Sequence, residues 1–124
     1  MSSPNDDPNL NTGIDLFNRA QFFDAHEVLE DVWRALPNTS AVKKHLQGLV
    51  QLAVAFHHES RGNLSGARSV FDRAWRTLTG AERSFPALDI EQLNRDLADW
   101  QRHLAGAASR PSSLPHITER NPRR

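Results

Sequence analysis

The sequence lacks cysteine, an excess of charge of either sign, and a long apolar run. The absence of cysteine among its 124 residues excludes disulfide bonds, thiolate metal ligands and a cysteine nucleophile. Lys plus Arg and Asp plus Glu each number 15, so the formal net charge is zero and no attraction to nucleic acid or anionic lipid is indicated. The longest apolar stretch, LVQLAVAF at 49–56, is too short to cross a bilayer, and the N-terminal residues carry no apolar signal-peptide core. We therefore expect a soluble cytoplasmic protein that binds neither nucleic acid nor membrane.

Length and apolar periodicity favour one all-α domain. The chain is long enough for a single domain with its own core. Apolar residues recur at spacings of three and four, and no segment alternates with the period of two that strands show. We predict a single helical domain at 10–108, a disordered N-terminal lead at 1–9 and a disordered C-terminal tail at 109–124, where Pro, Ser and Arg predominate.

The pattern predicts a compact bundle of about five helices. Four of them are expected near 11–19, 22–36, 40–61 and 64–80. Thr12 is the predicted N-cap of the first, and Asn63 that of the fourth. Asp89 with Gln92 resembles a capping box that opens the fifth helix.

An internal repeat appears when the sequence is shifted by about 42 residues. Residues of the 19–33 stretch then coincide with similar residues of 61–75, including Arg19 with Arg61, Ala25 with Ala67 and Trp33 with Trp75. Each copy predicts a helix, a tight turn and a second helix. We interpret the fold as two tetratricopeptide-like helical hairpins plus a C-terminal helix.

The second predicted helix carries ionisable residues beside its apolar stripe. His26 and Glu30 stand one turn apart, so their side chains can meet or converge on one ion. Glu27 is displaced around the helix. The next helix places three polar residues on a stripe of its own, namely Gln47, Gln51 and His58. If the two helices pack together, burial would require these groups to find hydrogen-bond partners in a shared cluster.

Known catalytic motifs do not fit this cluster. HEVLE at 26–30 shares its first two letters with the HExxH zinc-protease helix, but Glu30 replaces the second histidine. The paired ExxH motifs of a ferritin-like di-metal site are also absent. Two histidines and one or two glutamates suit zinc, manganese or iron, whereas a buried His-Glu-Gln network can equally fix only the helix register.

The remaining histidines, the tryptophans and Arg61 receive structural interpretations. His45 and His103 are predicted on the surface. His57 is a possible ligand, but a place at a helix edge or in contact with solvent is favoured. Trp33, Trp75 and Trp100 lie on apolar stripes and are predicted in the core. Arg61 is expected to cap the third helix or to form an ion pair with an acid such as Glu30.

Two long stretches resemble a known family. LFNRAQFFDAHEVLEDVW (16–33) and HLQGLVQLAVAFHHESRGNLSGARSVFDRAW (45–75) closely resemble the prokaryotic family catalogued as domain of unknown function 309, through the combination of HExLE, QGLxQ and RGNxxGA. The resemblance implies a small all-helical bundle and no particular activity. The family's recurring polar positions correspond here to His26, Glu27, Glu30, Gln47, Gln51, His58 and Arg61. The position of His57 is often another aromatic residue in such sequences.

Two functional hypotheses remain open. In the first, His26, Glu30 and His58 bind a divalent metal (zinc, manganese or iron) or a small polar ligand. Glu27 then acts as an acid-base group, and the ligand is oriented by Gln47, Gln51 and Arg61. In the second, the hairpins form an interaction or scaffold module, as a monomer or a homodimer, that binds a partner protein, and the His-Glu network is purely structural.

Overall fold

The computed structural model describes residues 7–120, which contain five α-helices and confirm the predicted all-α class. The helices are α1 (Pro8–Asn18), α2 (Phe22–Arg34), α3 (Ala41–Ser60), α4 (Leu64–Thr77) and α5 (Ile90–Leu104). A short 3-10 helix (Ala81–Arg83) lies between α4 and α5. None of the helices in this part of the chain combines the length and the apolar character that spanning a membrane requires.

The first four helices form two hairpins, α1 with α2 and α3 with α4, that pack together through α2 and α3. The two hairpin turns use equivalent positions of the predicted repeat. Ala20 has φ 64° and Gly62 has φ 78°, a left-handed conformation that lets the chain leave one helix and enter the next. The amides of Gln21 and Asn63, each one residue further on, donate to Leu16 O and His58 O at 2.9 Å. The repeat therefore encodes a common turn, while the tetratricopeptide likeness stays a prediction.

Two predicted N-caps, Asn63 and Asp89, are confirmed, and one is wrong. The side chains of Ser40, Asn63 and Asp89 accept hydrogen bonds from backbone amides in the first turns of α3, α4 and α5. The predicted cap Thr12 is wrong, because α1 begins earlier and its N-cap is Asp7. Thr12 lies inside the helix and its hydroxyl donates to Pro8 O. Pro8 suits the first turn, where no amide donor is needed.

Phe56 of α3 lies at the centre of the core. It is 1% exposed, and its ring contacts one aromatic ring from each of the other four helices. The centroid separations are 6.1 Å to Phe17, 5.6 Å to Phe22, 6.2 Å to Phe71 and 5.0 Å to Trp100. Three of these contacts are edge-to-face, the geometry that aromatic quadrupoles favour. Phe56 thus couples both hairpins to α5.

His45 corrects a sequence prediction, since it is buried (8% exposed) instead of lying on the surface. Its Nε2 lies 3.0 Å from Thr79 O, and its Nδ1 lies 2.6 Å from Ser84 Oγ. A carbonyl can only accept, so in the neutral imidazole Nε2 donates and Nδ1 accepts the hydroxyl proton. His45 thereby joins α3 to the segment that follows α4.

The three tryptophans differ in burial. Trp100 is 1% exposed and confirms its predicted place in the core. Trp33 is half-buried beside the core. Trp75 is 38% exposed, so the prediction of a core position is wrong for it. Trp75 lies at the edge of the apolar face of α4, whose buried residues include Phe71 and Ala74.

Residues 109–120 lie against the bundle, which differs from the disordered tail expected from their composition. Ile117 is 2% exposed, and its backbone N–H and C=O both bond to the side-chain amide of Asn18 at 2.8 Å. Trp100 Nε1 donates to Ser113 O at 3.2 Å. Arg110 forms a bidentate pair with Glu59, and this hydrogen bonding raises the pKa of the Arg110 guanidinium. Isolated contacts of this kind leave no periodic pattern in the sequence.

Replacing Asn18 with alanine is expected to lower the free energy of unfolding by about 1–2 kcal/mol, because both backbone groups of Ile117 lose their partner. Guanidinium titration followed by circular dichroism measures the change. Asn9→Ala is the matched control, because Asn9 is exposed and its side chain makes no bond to the C-terminal segment. Equal stability of Asn18→Ala and the wild type would contradict a bound C-terminal segment.

Candidate functional site

The antiparallel packing of α2 and α3 creates a depression near the start of α2. It is lined by Phe23 and His26 of α2 and by Val54, His57 and His58 of α3, and its volume is about 160 Å³. Phe22 and Phe23 are adjacent at the start of α2, and one helix face cannot bury both. Phe22 is 3% exposed and enters the core, whereas Phe23 is 50% exposed and forms a wall of the depression.

Ring contacts hold the walls of the depression together. The Phe23 ring lies 5.6 Å from the His26 ring and 5.5 Å from the His57 ring, centroid to centroid. The His57 and His58 rings are 6.2 Å apart. Phe23 therefore bridges α2 and α3 while half of its surface remains open to solvent.

His26 and Glu30 meet as the helical spacing predicts. His26 Nε2 lies 3.6 Å from Glu30 Oε1, and the Glu30 carboxylate also lies 3.4 Å from Arg34 Nη2. The first distance exceeds that of a hydrogen bond, so the contact is electrostatic. The other imidazole nitrogen, Nδ1, lies 3.3 Å from Phe23 O. These contacts fix the position of the His26 ring, which lines the depression.

His58 is tied to the turn between α3 and α4. Asn63 Nδ2 donates to His58 Nδ1 at 3.3 Å, while Asn63 Oδ1 accepts from the Gly66 amide at 3.0 Å. One side chain thus caps α4 and positions His58. Since an amide N–H₂ can only donate, Nδ1 is the acceptor.

The other predicted site residues are not drawn into one cluster. Glu27, Gln47 and Arg61 are exposed, and Gln51 is half-buried. Arg61 is the C-cap residue of α3, and none of the ion pairs in residues 7–120 joins it to Glu30. Gln51 Oε1 is buried and accepts no hydrogen bond from any described residue, so the predicted His-Glu-Gln network is not formed around it.

A metal centre is not assembled in the described part of the chain. Across residues 7–120, no three side chains of His, Cys, Asp or Glu form a group that could hold a metal ion. Metal binding by His26, Glu30 and His58 stays a prediction, and the geometry adds no support to it.

Phe23 and Val54 are the lining residues that the sequence reasoning did not select. The adjacent aromatic pair at 22–23 was the available signal for Phe23, because a surplus aromatic residue at a helix start must face outward. Val54 carries no such signal, since it lies within the apolar run of α3.

These features define a small all-α domain with an aromatic and imidazole depression between its second and third helices. The model of the family described as "Domain of unknown function (DUF309)" matches residues 10–70. This match confirms the resemblance seen in the sequence for residues 10–70. The match covers all of α2 and α3 and hence every residue that lines the depression.

Two bacterial proteins are similar to the chain. "Uncharacterized protein YpuF" of Bacillus subtilis (strain 168) is 33% identical over 70 residues, which are 56% of this chain and 40% of the relative. An "Uncharacterized protein" of Aquifex aeolicus (strain VF5) is 28% identical over 83 residues, which are 67% of this chain and 25% of the relative. The matched part spans less than half the length of either relative, and neither name states an activity.

Proposed function

We propose that the depression between α2 and α3 binds one bulky apolar side chain of a partner protein. Its volume of about 160 Å³ is below the range of roughly 300–1,000 Å³ of pockets for small organic ligands. A single leucine, methionine or phenylalanine side chain matches this scale better. This proposal develops the interaction-module hypothesis in preference to the metal hypothesis.

The observation that carries the proposal is the exposure of Phe23 at the wall of a concave site. Phe23 is half-exposed. When a partner covers such an aromatic ring, apolar surface is removed from water, and this lowers the free energy of the complex. Phe23 and Val54 supply the apolar contact, and the His26 and His57 rings extend the aromatic surface. Such an arrangement suits a binding hot spot, in which one anchor residue fills a pocket.

Acidic side chains beside the depression specify the charge of the partner. Glu27 lies one helical turn after Phe23, and Asp24 directly follows Phe23 in the sequence. Both are exposed, and neither appears among the ion pairs of residues 7–120. A lysine or arginine next to the anchor would meet this carboxylate pair. The partner segment is therefore a bulky apolar residue flanked by basic residues, and Glu27 attracts it instead of acting as an acid-base catalyst.

Selection from a phage-displayed random peptide library on the wild-type protein alone tests this function. We expect enrichment of a leucine, methionine or phenylalanine with a lysine or arginine one to four positions away. Binding of the selected peptides to Phe23→Ser is expected to fall by about tenfold or more, the effect of losing a hot-spot residue. Fluorescence anisotropy measures the affinities.

Leu64→Ser is the matched control, because Leu64 is an equally exposed apolar residue (52%) at the start of α4. It is expected to bind the selected peptides as the wild type does. Peptides that bind Phe23→Ser as tightly as the wild type, or a selection with no apolar anchor, would overturn the proposal.

A further inference from the structure

A second cleft, with no lining residue from α2, lies between α4, the segment that follows α4, and α5. It has a volume of about 290 Å³, and its lining includes Trp75, Gly80, Glu82 and Asn94. Trp75 is 38% exposed, and the exposed part of its indole lines this cleft. Phe71 packs against the same indole with the rings nearly parallel, 18° apart at 6.1 Å. The buried Phe71 therefore fixes the orientation of the indole.

The other two tryptophans, Trp33 and Trp100, each form a cation–π contact with a basic residue of the chain. Lys43 Nζ lies 4.5 Å from the centroid of the Trp33 ring, and Arg110 Cζ lies 5.0 Å from that of Trp100. Each of these rings holds a cation from the chain itself. Among residues 7–120, no lysine or arginine makes such a contact with the ring of Trp75. Trp75 is also the most exposed of the three tryptophans.

The polar residues of the cleft suit a cation that has a planar, hydrogen-bonding head. Glu82 is exposed, and its carboxylate takes part in none of the ion pairs of the described residues. Asn94 is half-buried on α5 and brings an amide oxygen acceptor to the same cleft. An indole face, a carboxylate and an amide oxygen together match the stacking surface and the N–H donors of a guanidinium group.

We propose that the Trp75 cleft binds an alkylguanidinium group, with the guanidinium stacked on Trp75 and paired with Glu82. The group could belong to a free arginine-derived amine or to an arginine side chain of another protein. Both sources present the same chemistry to the cleft. This site is independent of the depression at Phe23, because the two share no lining residue.

Nuclear magnetic resonance titration with n-butylguanidinium and n-butylurea tests the proposal. The two probes have nearly the same shape and differ in charge. The chain contains three tryptophans and therefore three indole N–H signals, and the Trp75→Phe variant assigns the relevant one. We expect n-butylguanidinium to shift the Trp75 indole and Asn94 side-chain signals saturably, with a dissociation constant at least about threefold lower than that of n-butylurea.

Glu82→Gln is expected to remove this charge preference, while Glu91→Gln, an exposed carboxylate on α5 outside the cleft, leaves it unchanged. Agmatine and a blocked Gly-Gly-Arg-Gly-Gly peptide, titrated in parallel, distinguish the sources. Tighter binding of agmatine indicates a free amine, and tighter binding of the peptide indicates a protein arginine. Equal dissociation constants for the two butyl probes, the absence of saturable shifts with n-butylguanidinium, or an unchanged preference in Glu82→Gln would overturn the proposal.

Discussion

Replacing Phe56 with alanine is expected to lower the free energy of unfolding by about 3–5 kcal/mol, the usual cost of deleting a large core aromatic ring. Phe56 is 1% exposed and contacts a ring from each of the other four α-helices. Removing it leaves a cavity at the point where both hairpins meet α5. Because natural domains are stable by only about 5–15 kcal/mol, this loss is a substantial fraction of the total stability.

Urea titration followed by far-ultraviolet circular dichroism measures this effect. Phe23→Ala is the matched control, since the same substitution at a half-exposed ring is expected to change stability by less than about 1 kcal/mol. A loss below 1 kcal/mol for Phe56→Ala would show that the five helices do not share the core described above.

Replacing His45 with alanine is expected to lower the free energy of unfolding by about 2–3 kcal/mol. The substitution removes the hydrogen bonds to Thr79 O and Ser84 Oγ at a buried position. His45→Gln is expected to recover part of this loss, because its amide N–H₂ can donate to the Thr79 carbonyl. Thermal unfolding of the three proteins measures the differences.

His116→Ala serves as the control for His45, because His116 is exposed and its Nδ1 lies 3.1 Å from the carbonyl oxygen of Leu114, only two residues away in the sequence. It is expected to unfold like the wild type. If His45→Ala did the same, the bonds between α3 and the segment after α4 would contribute nothing to stability.

The helices were predictable from sequence because their signals are local. The three-to-four apolar spacing marks α2 and α4, and Ser40, Asn63 and Asp89 stand at the positions where caps are expected. Even the turn geometry at Ala20 and Gly62 follows from the internal repeat. α1 begins earlier than predicted because Asp7 and Pro8 stand in a polar stretch that resembles a disordered lead.

Contacts between distant parts of the chain were not predictable in the same way. His45 is hydrogen-bonded to Ser84, which is 39 residues away, and Ile117 is hydrogen-bonded to Asn18 across 99 residues. No periodic pattern relates such positions. A Pro- and Ser-rich segment with an isolated apolar residue has the composition of a disordered tail. Its composition does not reveal which residue of the bundle that apolar residue contacts.

Sequence reasoning predicts only part of the geometry around the depression. The one-turn spacing of His26 and Glu30 correctly predicts that they meet. Glu27, Gln47 and Arg61, however, remain exposed, because a polar residue on a surface helix needs no partner other than water. The depression depends instead on Phe23 and Val54, whose exposure is decided by how α2 crosses α3.

The most direct test of the central claim is a titration of methyl-labelled protein with the best peptide from the selection, followed by nuclear magnetic resonance. Val54 lines the depression, whereas Leu64 is an exposed apolar residue outside it. The proposed function predicts saturable shifts of the Val54 methyl groups and of the His26 and His57 ring protons, with the Leu64 methyl groups unchanged. Shifts at Leu64 without shifts at Val54 would contradict it.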